Sequence, residues 1–207
     1  MFGNRIEAGK LLAKKLEKFK NTNTIILGIP RGGIPVAYSV AKELSLPLEV
    51  ILTKKIGHPL NKEYAIGATS LKDYIITPHE DVTDEYIQIE IAAVRSNLKE
   101  MQYKYTGNGA PLQLKGKTVV VIDDGIATGN TILETILIIK KSCPLKIIVA
   151  VPVASRSSIK KLSKEATKII VLESPEEFYG VGSFYESFDQ VTDEEVIEFL
   201  KNREKNN

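Results

Sequence analysis

Apolar residues along the chain fall into two kinds of run. "TIILGIP" (24–30), "KTVVVID" (117–123), "KIIVAVPVA" (146–154) and "TKIIVLES" (167–174) are short blocks rich in Ile and Val with no polar alternation. Such blocks predict strands covered on both faces. Between them the spacing turns helical. Ile34, Val36, Ala37, Val40, Ala41 and Leu44 share one face of a segment at 34–44, and "NTILETILIIKK" (130–141) is the clearest helix. Further helices are predicted near 155–164 and from Asp193 to about Arg203, the latter capped by Thr192 or Asp193. The N-terminus, "MFGNRIEAGKLLAKKLEKF", reads as an amphipathic helix. "LEVILTKKI" (48–56) predicts a second strand, and "YAIGATS" and "DYIIT" two shorter ones across a Lys-Asp turn. Val82 to about Tyr105 is a further helix with Ile87, Ile91, Val94 and Leu98 on one face, followed by a loop, "TGNGAP" (106–111).

Strands alternating with helices imply an α/β fold: a doubly wound, mostly parallel sheet with helices on both faces. No internal repeat or low-complexity linker divides the chain, so residues 1–207 are expected to form one domain. In such sheets ligands bind beyond the carboxyl ends of the strands, which directs attention to each loop that follows a strand. Composition narrows the field. Lys and Arg total 28 against 26 Asp and Glu, a net charge of +2. That balance excludes a general affinity for nucleic acid and leaves any anion to a local site. The single cysteine, Cys143, excludes an internal disulfide, suits a reducing cytoplasm and is expected to be buried and structural. No apolar run approaches the roughly 18 residues that span a bilayer, and the N-terminus lacks a signal-peptide core. A cytoplasmic protein without membrane contact is the expectation.

One loop carries chemistry in its sequence. In "VVVIDDGIATGNT" (119–131), four apolar residues deliver Asp123 and Asp124 to the sheet edge, and Gly125, Ile126, Ala127, Thr128 and Gly129 turn the chain into the helix starting near Asn130. Small residues let backbone N–H groups approach a ligand, and the helix N-terminus adds free donors with partial positive charge. The Thr128 and Thr131 hydroxyls extend a cup for a phosphate monoester. Ionised acids accept hydrogen bonds from hydroxyls. Twin carboxylates beside a phosphate cup therefore suit a sugar phosphate. Rival motifs fail. "KGKT" (115–118) precedes its strand and has Pro111 where a P-loop needs glycine; "GNGAPL" and "GVGSFY" lack the last glycine of a dinucleotide fingerprint; two histidines do not make a zinc set; and no G-x-S-x-G elbow supports a hydrolase.

These residues resemble the phosphoribosyl-diphosphate (PRPP) binding motif of type I phosphoribosyltransferases. The resemblance implies that Asp123 and Asp124 hold the ribose hydroxyls and that Gly125 through Thr131, chiefly Ala127 to Thr131, bind the 5′-phosphate. "GIPRGGIPVA" (28–37) is similar to the family's pyrophosphate loop, with Arg31, Gly32 and Gly33 as contacts and a cis peptide expected between Pro30 and Arg31. Lys54 and Lys55 stand where the family places basic residues after its second strand, and His58 beside them reads as incidental. "GHPLNKEYAIGA" (57–68) and "FYGVGSFYESFDQVTDEEV" (178–196) further resemble a little-characterised bacterial branch of the family.

The resemblance implies attack by a nitrogen nucleophile on C1 of PRPP with loss of pyrophosphate. On the same resemblance Mg²⁺ is expected as a cofactor carried by PRPP with no direct protein ligand, with contact to Asp123 or Asp124 through water. Relatives that act on 6-oxopurines carry another acid within the loop; Ala127 argues against hypoxanthine or guanine and leaves the small-molecule acceptor open. A small hood is expected from 176–190 and the N-terminal segment, with Phe178, Tyr179, Phe184 and Tyr185 as its packing core. A closing loop is expected at 57–64, with 106–111 as second choice. The extra helix (82–105), on which Arg95 and Lys99 read as solvated, covers the site or mediates a homodimer. The competing reading is a non-catalytic PRPP- or nucleotide-binding regulator of the same fold, against which Asp123, Asp124, Arg31 and Lys54 all argue.

Overall fold

The computed structural model describes residues 1–79, 81–107 and 112–203. The order of elements is α1 (Arg5–Leu16), β1 (Thr24–Gly28), α2 (Gly33–Leu44), β2 (Leu48–Val50), β3 (Lys54–His58), β4 (Asn61–Thr69), β5 (Tyr74–Ile76), α3 (Asp84–Thr106), β6 (Thr118–Ile122), α4 (Asn130–Lys140), β7 (Lys146–Val153), α5 (Arg156–Leu162), β8 (Lys168–Glu173) and α6 (Asp193–Arg203). Five parallel strands form the main sheet in the order β2-β1-β6-β7-β8, and β3-β4-β5 form a separate antiparallel sheet.

Both faces of the main sheet are buried, which is why its strands carry no polar alternation. Ile26, Val120, Ile122, Ile148 and Ala150 pack under α1, α2 and α6, among Leu12, Leu16, Val40 and Leu200. Ile25, Leu27, Val119, Val121 and Val149 face the other way, against Ile132, Ile136 and Ile139 of α4 and Leu162 of α5. The last helix starts with a capping box. The Glu195 N–H donates to Thr192 Oγ1 (3.2 Å), and the Thr192 N–H donates back to Glu195 Oε2 (2.8 Å).

The strand order fixes where a ligand can sit. From β1 the chain winds outward to β2, and from β6 it winds the opposite way through β7 to β8. The direction reverses between β1 and β6, so a crevice opens beyond their carboxyl ends. The loops leaving those ends are Ile29–Gly32 and Asp123–Gly129.

Several expectations need correcting. Residues 48–56 are not one strand. Ile51 N–H makes the last bond to the main sheet, to the Gly28 carbonyl (3.0 Å). β1 ends there, so the chain has no further partner on that edge and crosses to pair with β4 instead. Segment 57–64 is accordingly a β-hairpin with its register shifted around Gly57. Cys143 is exposed, in a left-handed turn (φ 50°) after α4, because the helix ends at Lys140, before the cysteine.

His58 does not stand free. Its Nδ1 accepts the Leu60 N–H (3.2 Å), which places the neutral ring's proton on Nε2, directed at Asp81 Oδ2 (3.0 Å). Nor is Arg95 solvated: its Nε reaches Thr69 Oγ1 and the Ser70 carbonyl (both 3.1 Å), and its Nη2 the Lys72 carbonyl (2.8 Å), pinning the β4–β5 turn to α3. The 106–111 loop lies mostly outside the described residues. Among the described residues, no helix is long and apolar enough to cross a membrane.

Ile136 is fully buried between α4 and the sheet. Ile136→Ala is expected to lower stability by about 2–5 kcal/mol, read as a reduced urea midpoint at unchanged slope.

Candidate active site

β1 and β6 lie in register with Gly28 opposite Ile122, so their loops leave the sheet side by side. The first loop stays close: the Ile29 N–H donates to the Ile122 carbonyl (2.9 Å), the Pro30–Arg31 peptide is cis, and the Gly33 N–H donates to Ile29 O (3.0 Å) as α2 begins. This path brings the backbone against the acids. A β-carbon on Gly32 would stand 2.0 Å from Asp124 Oδ2; one on Gly33 would stand 2.8 Å from the Ile122 carbonyl and 2.9 Å from Asp123 Cα. Only glycine fits at these two positions, and because it does, the two loops form one surface.

The second loop is anchored from behind. Ile126 N–H donates to Val153 O (2.9 Å), Ser155 N–H donates to Ile126 O (3.0 Å), and Ser155 Oγ donates to Ala127 O (2.7 Å). Ile126 itself is buried, so only its backbone can face a ligand. Ala127, Thr128, Asn130 and Thr131 are exposed. Gly129 takes the left-handed conformation (φ 74°) that turns the chain into α4, and no side chain caps that helix. Its first amide hydrogens are therefore not taken by a side chain. The Asn130 side-chain carbonyl accepts from the Lys161 ammonium of α5. Gly125 is held against the C-terminal segment, where an added β-carbon would meet Val181 Cγ1 at 2.5 Å.

The acids are electrostatically unequal. Burial, and then the charge of Asp124, pushes the Asp123 carboxyl well above the usual aspartate range, although its Oδ1 accepts the Asp124 N–H (2.9 Å). Burial also raises Asp124, but a hydrogen bond and charge from Arg5 oppose it. Arg5 Nε donates to Asp124 Oδ2 at 2.9 Å, and Tyr185 Oη donates to the Asp124 carbonyl at 2.7 Å. Arg5 does not stand out in the sequence, because a contact spanning 119 positions leaves no local pattern, and Tyr185 was marked only as a hood aromatic, not as a partner of Asp124. The termini bring both into place: Phe2 N–H donates to Phe184 O, and Glu186 N–H donates to Phe2 O (both 2.8 Å). Phe2, Phe184, Tyr185 and Phe188 pack together, and Phe178 stacks on Phe184 at 5.6 Å. Tyr179 stands apart, 83% exposed.

The predicted cations divide. Arg31, on the first loop, is 41% exposed on its side chain, and its Nη1 lies 3.8 Å from Asp193 Oδ1, too long for a hydrogen bond. Asp193 is instead held by Lys104 Nζ (2.7 Å) and Tyr105 Oη (2.6 Å), which keep its carboxyl below the usual range. Lys54 and Lys55 leave from the antiparallel sheet instead of a strand of the main one. Lys54 is exposed, whereas Lys55 Nζ bonds Glu63 Oε2 (2.7 Å). Lys55 and Lys161 both oppose the upward shift that burial gives Glu134 on α4. A cavity of about 490 Å³ lies elsewhere, at the β2 edge among Val50, Leu52, Leu114, Ile139 and Arg203. It includes none of the predicted site residues.

The twin acids, the glycine loop and the uncapped helix all lie at the carboxyl ends of β1 and β6, at the switch point of the sheet. Against known families, the phosphoribosyl transferase domain model matches residues 4–186. The chain belongs to that family. Two Mycobacterium tuberculosis proteins, from strains CDC 1551 / Oshkosh and H37Rv, carry the words phosphoribosyl transferase in their names. Each is 33% identical over 207 residues, a match covering 97% of this chain and 46% of theirs. The chain thus spans about half the length of those curated relatives. The crystal structure of TT1426 from Thermus thermophilus superposes with a TM-score of 0.89 at 34% identity, covering 98% of each chain.

A carboxyl raised by folding binds its proton more tightly in the folded state. Its contribution to stability is therefore full below about pH 3.9, the ordinary aspartate value, and is lost as pH rises through the raised value. Asp123→Asn removes that loss. Urea denaturation should find the variant more stable than the wild type at pH 8, with the advantage vanishing toward pH 4.

Proposed function

We propose that this chain is a Mg²⁺-dependent phosphoribosyltransferase that binds PRPP in the β1/β6 crevice. It transfers ribose 5-phosphate to a nitrogen of a nucleobase-like heterocycle other than a 6-oxopurine and releases pyrophosphate. The observation that carries this reading is the contact of Gly32 with Asp124, which sets a backbone loop suited to pyrophosphate against carboxylates suited to a diol. Family membership supports the transfer chemistry.

In this reading Asp123 and Asp124 accept hydrogen bonds from the ribose hydroxyls. Gly125 to Thr131 enclose the 5′-phosphate with backbone N–H groups and the Thr128 and Thr131 hydroxyls. Arg31, with backbone N–H groups near Gly32 and Gly33, receives the pyrophosphate, and Lys54 and Lys55 approach it from the β3–β4 hairpin. Bond making and breaking balance simply. The acceptor nitrogen forms a bond to C1 as the C1–O bond breaks, the electron pair leaves on pyrophosphate, and the acceptor's proton passes to solvent.

Asp123 and Asp124, hard oxygen donors at the end of β6, are the residues that would hold Mg²⁺ brought with PRPP, and the ion would supply stabilisation of negative charge on the leaving group. The protein's own part is to orient the ribose and keep water out. The hairpin at 57–64 serves as the closing element, and the clasped termini form the hood, with Phe178, Phe184 and Tyr185 packed as its core and Tyr179 left outside that core. α3 is a candidate face for a homodimer.

The deciding experiment incubates the protein with Mg²⁺, PRPP and a panel of heterocycles while pyrophosphate is followed. Release is expected with a non-6-oxopurine acceptor and not with hypoxanthine or guanine; no PRPP binding and no release with any acceptor would end the proposal. The double variant Asp123→Asn, Asp124→Asn should weaken PRPP binding by about 100-fold or more in calorimetry while the fold persists. Arg31→Ala should weaken pyrophosphate binding by about tenfold and ribose 5-phosphate binding much less, since in this reading its cation is assigned to the leaving group.

A further inference from the structure

The Arg5–Asp124 pair joins the chain's N-terminal helix to the acid loop, and sequence reading alone did not foresee it. Both side chains are largely withdrawn from solvent, with 11% of Arg5 and 14% of Asp124 exposed. Beyond its bond to Asp124, Arg5 is fixed on two more sides. Its Nη1 donates to the Asp189 carbonyl (2.8 Å), and its guanidinium carbon lies 3.9 Å from the centre of the Phe188 ring. The helix that carries it is started by Asn4, whose side chain accepts the Glu7 N–H (3.0 Å). Arg5 is thus a rigid cation held by elements that do not belong to the acid loop.

Charged and titratable groups reach Asp124 from each side. Arg5 comes from α1, Tyr185 from the C-terminal segment and Asp123 from its own loop, while Gly32 presses only backbone against it. Among the described residues, Arg5 is the cation hydrogen-bonded to either acid of the pair. Two adjacent carboxylates in a partly buried crevice repel one another and resist ionisation. A carboxylate must be ionised, and correctly turned, to accept from two donors at once. Arg5 meets both needs. It supplies the opposite charge, and by engaging Oδ2 it leaves Oδ1 for a ligand hydroxyl.

We propose that Arg5 is a positioning residue for ribose binding: by clamping Asp124 Oδ2 it fixes the orientation in which the acid accepts a ribose hydroxyl, and it makes that site depend on the closed clasp of the two termini. This rests on the phosphoribosyl reading of the crevice. Arg5 acts through Asp124, not by touching substrate. Removing it should cost ribose binding only while Asp124 is present, and should spare pyrophosphate, which is assigned to the other loop.

A double-mutant cycle tests this. Affinities for ribose 5-phosphate and, separately, for pyrophosphate are measured by calorimetry in wild type, Arg5→Gln, Asp124→Asn and the double variant, with thermal melts confirming the fold. Arg5→Gln is expected to weaken ribose 5-phosphate binding about tenfold, the loss of one charge-assisted hydrogen bond. It should leave pyrophosphate binding unchanged and cost nothing further in the Asp124→Asn background. An equal loss in both backgrounds, or no loss in the wild type, overturns the role of Arg5. Should Arg5→Gln fail to fold, Arg5→Lys takes its place in the same cycle, with the same two readings: a loss that vanishes with Asp124→Asn supports the proposal, and any other result overturns it. Failure of the underlying reading looks different, because wild-type protein would then not bind ribose 5-phosphate at all.

Discussion

The backbone at Gly32 and Gly33 runs so close to Asp123 and Asp124 that neither position has room for a β-carbon. The proposed function depends on that approach. The loop after β1 can receive a polyanion only through backbone and Arg31, and the loop after β6 brings negative charge, so the two would serve unrelated ligands if they stood apart. Pressed together, they can serve the two ends of one molecule. The sheet order makes the contact possible: β1 and β6 are neighbours with Gly28 opposite Ile122, and their helices depart to opposite faces.

That arrangement sets an electrostatic problem. Both carboxyls at the lip of an apolar strand are raised by burial, and Asp123 also by the charge of Asp124, so they weaken the fold near neutral pH. Function is concentrated where stability is sacrificed. Arg5 offsets part of the cost, and it arrives from outside the sheet. The N-terminal residues pair with Phe184 and Glu186, the aromatic cluster closes over them, and the guanidinium is set against Phe188. With a net charge of only +2, the protein has no general positive field, and single well-placed cations carry the work.

The antiparallel sheet and α3 form a second unit built on different interactions. Where the main sheet is held by continuous apolar burial, the β3–β4–β5 lobe has a small core of Ile56, Ile66, Ile87 and Ile91 and relies on polar pins. Arg95 ties its turn to α3, His58 ties the hairpin to Asp81, and Lys62 reaches Tyr86 (2.6 Å) and Glu90 (2.7 Å). Leu60 stands almost fully exposed at the hairpin tip. Few apolar contacts and many exposed polar ones are the physical conditions for a segment that opens at low cost.

The loop at Pro30–Gly33 was marked only by its resemblance to a family, and its press against Asp124 and Ile122 was decided by the fold. Period and composition along the chain were enough to determine the parallel core, the twin acids at a strand end and the glycine turn into α4. Each follows from interactions within a few residues: uninterrupted Ile and Val runs bury both strand faces, and small residues permit a tight turn. Local patterning could not show where strand 48–56 would break, because that depended on β1 ending and leaving no partner. For the same reason it could not show that Cys143 would fall in a turn beyond α4, or that Arg95 and His58 would be fasteners. Least of all could it place Arg5 against Asp124, Tyr185 above them or Lys161 on Asn130. Those contacts join residues far apart in sequence, and only chain folding decides which distant charge comes to lie beside which acid.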